Sequence, residues 1–134
     1  MAVKVGVICS GEGPELLALI EAVDRGRLPA EISLVVADRD GPALNMARSA
    51  GLDAVFLPRQ VFHANRDGFE RRLVEILRQA GAEAVVLAGF EREVGPVLEE
   101  AFPGLIYGQG LEARALAADL EKRLRGRLFQ LLGD

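Results

Sequence analysis

The amino-acid sequence predicts an α/β domain: a doubly wound, mostly parallel sheet of four or five strands in the order 3-2-1-4-5, followed by a long C-terminal helix. Three observations predict it. Short apolar runs rich in Val, Ile and Ala alternate with segments whose apolar residues recur at helical spacing. The runs lack the polar alternation of a half-exposed strand, and parallel strands buried on both faces need right-handed helical crossovers that cover the sheet on both sides. The chain has 134 residues, 50% of them hydrophobic and 27% charged, which suits one compact core and is too apolar for disorder. Residues 1–134 are therefore expected to form a single domain.

Val3 to Cys9 (VKVGVIC) is the first strand, and Ser10-Gly11-Glu12-Gly13 closes it as a tight turn. Pro14 suits a first helical position, Glu15 favours the positive end of the helix dipole, and Leu16, Leu17, Ile20 and Val23 carry the helix to about Asp24. Ile32 to Ala37 is the second strand. Gly41-Pro42 opens a second helix bearing Leu44, Ala47 and Ala50, which Gly51 stops. Ala54 to Leu57 is a short third strand, and Arg66 opens a third helix whose apolar face is Phe69, Leu73, Ile76 and Leu77 and which ends near Gly81. Ala84 to Ala88 is the fourth strand and Leu105 to Tyr107 a fifth. Leu111 to Leu132 reads as one terminal helix, with Leu116, Leu120, Leu124 and Leu128 in an apolar stripe and Arg and Lys opposite. No linker, low-complexity stretch or internal repeat interrupts the pattern.

The charge balance narrows the partners. A net charge of -4 offers no basic face to release counterions from a polyphosphate, so no nucleic-acid partner is expected. Cys9 is the only cysteine and His63 the only histidine, which rules out an internal disulfide and a Cys/His zinc set; no metal is expected. The N-terminal apolar run is too short to span a bilayer and lacks a basic leader, so the expectation is a cytoplasmic protein without a membrane partner.

In an open parallel sheet, ligands bind beyond the carboxyl ends of the strands, at the point where the strand order reverses. Here that point lies between strands one and four, so Ser10 to Glu15 and Ala88 to Val94 are expected to flank one crevice, with Asp38 and Arg39 beyond strand two. A Gly-x-Gly turn before a helix can offer backbone donors to a phosphate. However, Leu16 stands where a dinucleotide fingerprint needs a small residue, Pro14 has no amide proton, and Glu12 and Glu15 bring negative charge; Gly11 and Gly13 thus read first as a structural turn. Arg66 can clamp a phosphate or be an ordinary solvated arginine. His63 has no second imidazole or thiol nearby and reads as a surface loop residue, and Cys9 as a buried thiol rather than a nucleophile. Ser10 and Pro58 occupy strand ends where a phosphoacceptor receiver domain carries carboxylates, which excludes that class.

Four ordered strings carry a family likeness: VKVGVICSGEGPELLALIEA, VVADRDGPALNMARSAGL, NRDGFERRLVEIL and AEAVVLAGFEREVGPVLEEAFPG. The S-G-x-G turn, A-R-x-A-G after strand two, and A-G-F-x-R followed by a proline recur in order at fitting distances. Over Val3 to about Ile106 the chain resembles the phosphoribosylglycinamide formyltransferase family. The resemblance implies the Rossmann-like N-terminal half of a formyltransferase domain, with a ribonucleotide phosphate at Gly11 to Glu15 beside Arg66 and a folate pocket around Phe90 to Val94. The ligand-binding candidates are then Ser10, Gly11, Gly13, Arg66, Gly89, Phe90, Arg92 and Val94.

The same resemblance implies that catalysis is lost. The family's fifth strand runs into Asn-x-His-Pro-Ser, whose Asn and His stabilise the formyl-transfer intermediate; Tyr107 and Gln109 stand in those two positions. Gln can donate to an oxyanion but cannot carry the charge of an imidazolium, and Tyr is too bulky to replace an amide. The family's catalytic aspartate belongs to a later segment with no counterpart in the terminal helix. Pro14-Glu15 replaces the Ser-Asn of the usual S-G-x-G-S-N turn, and Glu91 and Glu93 fall where the folate segment is usually apolar. The expectation is a catalytically inactive relative of the family, without catalytic residues or a bound cofactor, that binds a small anionic ligand or a protein partner. It is expected to form a homodimer through the C-terminal helix, the fifth strand or both. The alternatives are a residual folate-dependent formyltransferase of purine biosynthesis completed by a partner chain, and a purely structural homodimer.

Overall fold

Five parallel strands form one sheet in the order β3-β2-β1-β4-β5: β1 (Val3–Cys9), β2 (Ala30–Ala37), β3 (Ala54–Phe56), β4 (Ala84–Leu87) and β5 (Ile106–Tyr107). The structure is a computed structural model that describes residues 2–63 and 65–133, with the side chains of residues 114 and 127–133 outside the description. The helices are α1 (Pro14–Asp24), α2 (Pro42–Ser49), α3 (Arg66–Gln79), α4 (Pro96–Ala101) and α5 (Ala113–Gly133), with a 3₁₀ turn at Arg59–Phe62.

Local chemistry sets the helix starts. α1, α2 and α4 each begin on a proline, whose fixed φ suits the first turn and whose missing N–H would lack a partner there anyway. α3 begins after Asn65, whose side-chain oxygen accepts the Gly68 N–H at 3.0 Å.

Alternate residues of each strand feed two cores, as a doubly wound sheet requires. On one face Val5, Val7 and Val35 pack with Leu16, Leu19 and Leu44 and with Leu116, Leu120 and Leu124 of α5. On the other, Ile8, Val36, Val85 and Leu87 pack with Phe69, Leu73 and Leu77 of α3 and Leu98 of α4. Complete burial of each leucine stabilises the fold by about 1.5–3 kcal/mol relative to exposure.

The fold and strand order match the expectation, and the differences are local. α4 and the 3₁₀ turn are new, because six and four residues are too few to show a helical period. β2 starts two residues earlier than expected, and α5 starts at Ala113. The α5 stripe packs on its own sheet and along α1, so Leu116, Leu120 and Leu124 offer no face to a second copy; Leu128 lies outside the described side chains. Among the described residues, no helix is long and apolar enough to cross a membrane.

Candidate ligand-binding site

The carboxyl ends of the strands carry two cavities where one crevice was expected. The first, about 490 Å³, lies between the turn after β1, the loop after β4 and the segment beyond β5. Gly11 (φ 115°) and Gly13 (φ 99°) give the turn its left-handed backbone, and the Gly11 carbonyl accepts the Ala43 N–H at 2.9 Å, tying the turn to the start of α2. Glu12, Glu15, Glu91 and Glu112 line this crevice, and among the described residues no Arg or Lys does. An anion placed there meets these four carboxylates, which repel a phosphate.

The second cavity, about 330 Å³, lies on the α3 side, between the end of β2, the 3₁₀ turn and the loop after β4. Its apolar wall is Phe69, Leu73, Phe90 and Leu98, and its charged lining is Arg39, Arg59, Arg66 and Arg92 together with Asp38, Glu70 and Glu93. Among the described residues, neither Arg66 nor Arg92 belongs to an ion pair. Asp38, just past β2, is only 3% exposed and pairs with the Arg59 guanidinium. Arg59 in turn lies over the Phe90 ring, 6.0 Å from its centroid. Neither Asp38 oxygen nor the buried Arg59 Nη1 completes a hydrogen bond of ordinary geometry, and leaving such a group unsatisfied costs about 1–3 kcal/mol. Burial pushes the Asp38 carboxyl above the usual carboxylate range, and the Ser10 hydroxyl and the Arg39 guanidinium oppose the rise.

The loop after β4 divides the two cavities and is tied at three points. Ser10 Oγ accepts the Glu91 N–H at 3.0 Å, Arg39 Nη2 donates to Glu91 Oε2 at 2.6 Å, and the buried Glu70 of α3 accepts the Gly95 and Leu98 N–H groups at 2.6 and 2.9 Å. Glu70 thereby caps α4 from a neighbouring helix, satisfying donors that the helix start leaves open.

The expected site residues are divided between these places. Ser10, Gly13 and Gly89 line the acidic crevice, Arg66 and Arg92 line the arginine cavity, and Phe90 lines both. Gly11 and Val94 line neither; Gly11 shapes the turn, and Val94 packs against the core on the α3 side. Tyr107 is buried in the opposite core, Gln109 is exposed beyond β5, and neither lines the arginine cavity or the acidic crevice. His63 is exposed at φ 48°, and burial pushes the Cys9 thiol up to about 11. Among the described residues, no three His, Cys, Asp or Glu side chains are grouped to hold a metal ion. Arg59 and Glu70 were not legible as site residues. Both act through partners distant in sequence, and no short motif marks them.

An open parallel sheet with ligand-sized cavities at the carboxyl ends of its strands places the chain among the doubly wound α/β domains. Within that class it belongs to the formyl transferase family, whose model matches residues 3–107. It is similar to the phosphoribosylglycinamide formyltransferase of Haemophilus influenzae, 31% identical over 105 residues, covering 77% of this chain and 49% of that protein. The Escherichia coli enzyme of the same name is 29% identical over 99 residues, covering 73% and 46%. In structure, the chain resembles glycinamide ribonucleotide transformylase 1 from Symbiobacterium toebii, with a TM-score of 0.74 and 35% identity, over 78% of this chain and 50% of that one. The chain thus spans about half the length of the bacterial relatives it matches.

Proposed function

We propose that this domain is a formyltransferase relative that binds a small anionic ligand in the arginine cavity and does not itself transfer a formyl group. The observation that carries the reading is the separation of its parts. The free guanidinium groups of Arg66 and Arg92 gather at one apolar cavity, while Tyr107 and Gln109, in the positions of the family's Asn and His, lie in a core and in solvent. Formyl transfer passes through a charged tetrahedral intermediate, and losing one preorganised donor lowers turnover by about a hundredfold to a thousandfold.

The residues around Phe90 to Val94 do not fit a folate held as the resemblance implies. Val94 is half-buried against the core, Glu91 is tied to Arg39, and glutamates line the adjoining crevice.

Titration of the ¹⁵N-labelled chain with ribose 5-phosphate, inorganic phosphate and folate tests the reading. Amide shifts gathered at Arg66, Phe90 and Arg92 are expected, and shifts confined to the Gly11 to Glu15 turn or to another surface contradict it. A second reading draws on the relatives being about twice as long: a formyltransferase completed by another chain that supplies the remaining half. Reconstituted turnover on adding such a chain supports that reading.

A further inference from the structure

Two ion pairs join the loops at the carboxyl ends of the strands, and they differ in how easily each is broken. Arg59 keeps 17% of its side chain exposed and its Asp38 partner none, so separating them strands a charge in the interior. Arg39 and Glu91 are 55% and 54% exposed and meet at 2.6 Å, so water or another ion can take over either partner at small cost. Arg39, just past β2, lines the arginine cavity, whereas Glu91 lines the acidic crevice on the other side of the loop after β4. The pair therefore reaches over the wall between the two cavities. Both of its ends are held in place. The Glu91 N–H donates to Ser10 Oγ at 3.0 Å, and Arg39 Cβ lies 3.2 Å from where a Cβ on Gly11 would stand, so the Arg39 stem passes close over the turn after β1. Packing and backbone thus supply part of the ordering that weakens an ordinary surface pair.

We propose that Glu91 is a built-in competitor: its carboxylate occupies the Arg39 guanidinium as a ligand's oxyanion would, and an anion entering the arginine cavity gains Arg39 only by displacing it. The proposal rests on the binding reading above and adds its regulation. Arg66 and Arg92, in no ion pair among the described residues, are open to an anion from the start, and Arg39 is withheld. Carboxylate and phosphate oxygens accept from the same guanidinium N–H groups, so the two exclude each other at the nitrogen that Glu91 uses. The contact lowers the affinity of the cavity for any anion too weak to displace a carboxylate.

The test titrates the ¹⁵N-labelled wild type, E91Q, R39Q and R39Q/E91Q with inorganic phosphate at about 0.15 M salt, where exposed charges more than about 8 Å apart are largely screened. E91Q is expected to bind phosphate about fivefold more tightly than the wild type, the fold-change that corresponds to the upper end of what an exposed ion pair contributes. Without Arg39 the same change releases no guanidinium, so R39Q/E91Q is expected to stay within about twofold of R39Q. The bond from the residue 91 N–H to Ser10 Oγ does not use the Glu91 side chain, so hydrogen exchange at that amide is expected to keep its wild-type rate in E91Q. Equal gains from E91Q with and without Arg39 overturn the proposal, because a carboxylate acting only through its charge gives that result. An E91Q affinity equal to that of the wild type overturns it too, as does faster exchange at the residue 91 amide, which would assign the gain to a displaced loop. In each of these cases phosphate shifts at Arg66 and Arg92 persist and the binding reading stands. Absence of any phosphate shift in all four proteins overturns both.

Discussion

Cys9 sits at the end of β1 with 1% exposure, and burial raises its thiol from an ordinary 9.0 to about 11. The native state therefore holds the proton more tightly than the unfolded state does. The resulting stability is fully present below pH 9 and is lost as pH rises from about 9 to about 11, by about 2–3 kcal/mol for a shift of this size. Denaturant unfolding of the wild type at pH 8 and pH 10.5 is expected to show most of that loss, and Cys9→Ala, with no thiol to titrate, is expected to lack it. At pH 8 a thiol reagent should label Cys9 only as fast as the chain unfolds. The inert, buried character of this residue was legible in the sequence, because an apolar strand run with no nearby histidine leaves a thiol nothing to activate it. Arg59 was not legible. Its role depends on Asp38 and Phe90, and Arg59-Gln60 carries no pattern that announces either contact.

Among the elements, α1, α3 and α5 were readable because each runs long enough to repeat its apolar face, whereas α4, at six residues, repeats nothing. What holds α4 is a side chain from another helix. Glu70→Ala removes the acceptor of the Gly95 and Leu98 amides, and a destabilisation of about 1–3 kcal/mol is expected, with faster hydrogen exchange concentrated at those two amides. Unchanged exchange there would show that α4 holds its place without the cap. α5 makes the opposite case: its stripe was legible, but what covers it was not. Since Leu120 is wholly buried against the chain's own core, Leu120→Ala is expected to cost about 2–5 kcal/mol in chemical denaturation. A cost below about 1 kcal/mol would show that α5 packs loosely on the sheet.

At the scale of the whole molecule, the strand order pointed to the carboxyl ends of the strands, where both cavities lie, because that rule follows from topology alone. It merged two cavities of opposite charge into one. The partition depends on Ser10 meeting Glu91 and Arg39 meeting Glu91, contacts between residues 81 and 52 positions apart that no local pattern reveals. The result is an acidic crevice on one side of the loop after β4 and, on the other, a cavity where Arg39, Arg59, Arg66 and Arg92 stand with Asp38, Glu70 and Glu93. On the proposed reading Tyr107 and Gln109 take no part in formyl transfer, and neither lines the arginine cavity or the acidic crevice. The central claim is that this chain binds without transferring. A steady-state assay of the purified 134-residue chain with glycinamide ribonucleotide and 10-formyltetrahydrofolate tests it most directly. No formyl transfer above the uncatalysed background is expected, whereas turnover within about tenfold of an intact phosphoribosylglycinamide formyltransferase, abolished by Gln109→Ala, would contradict the account.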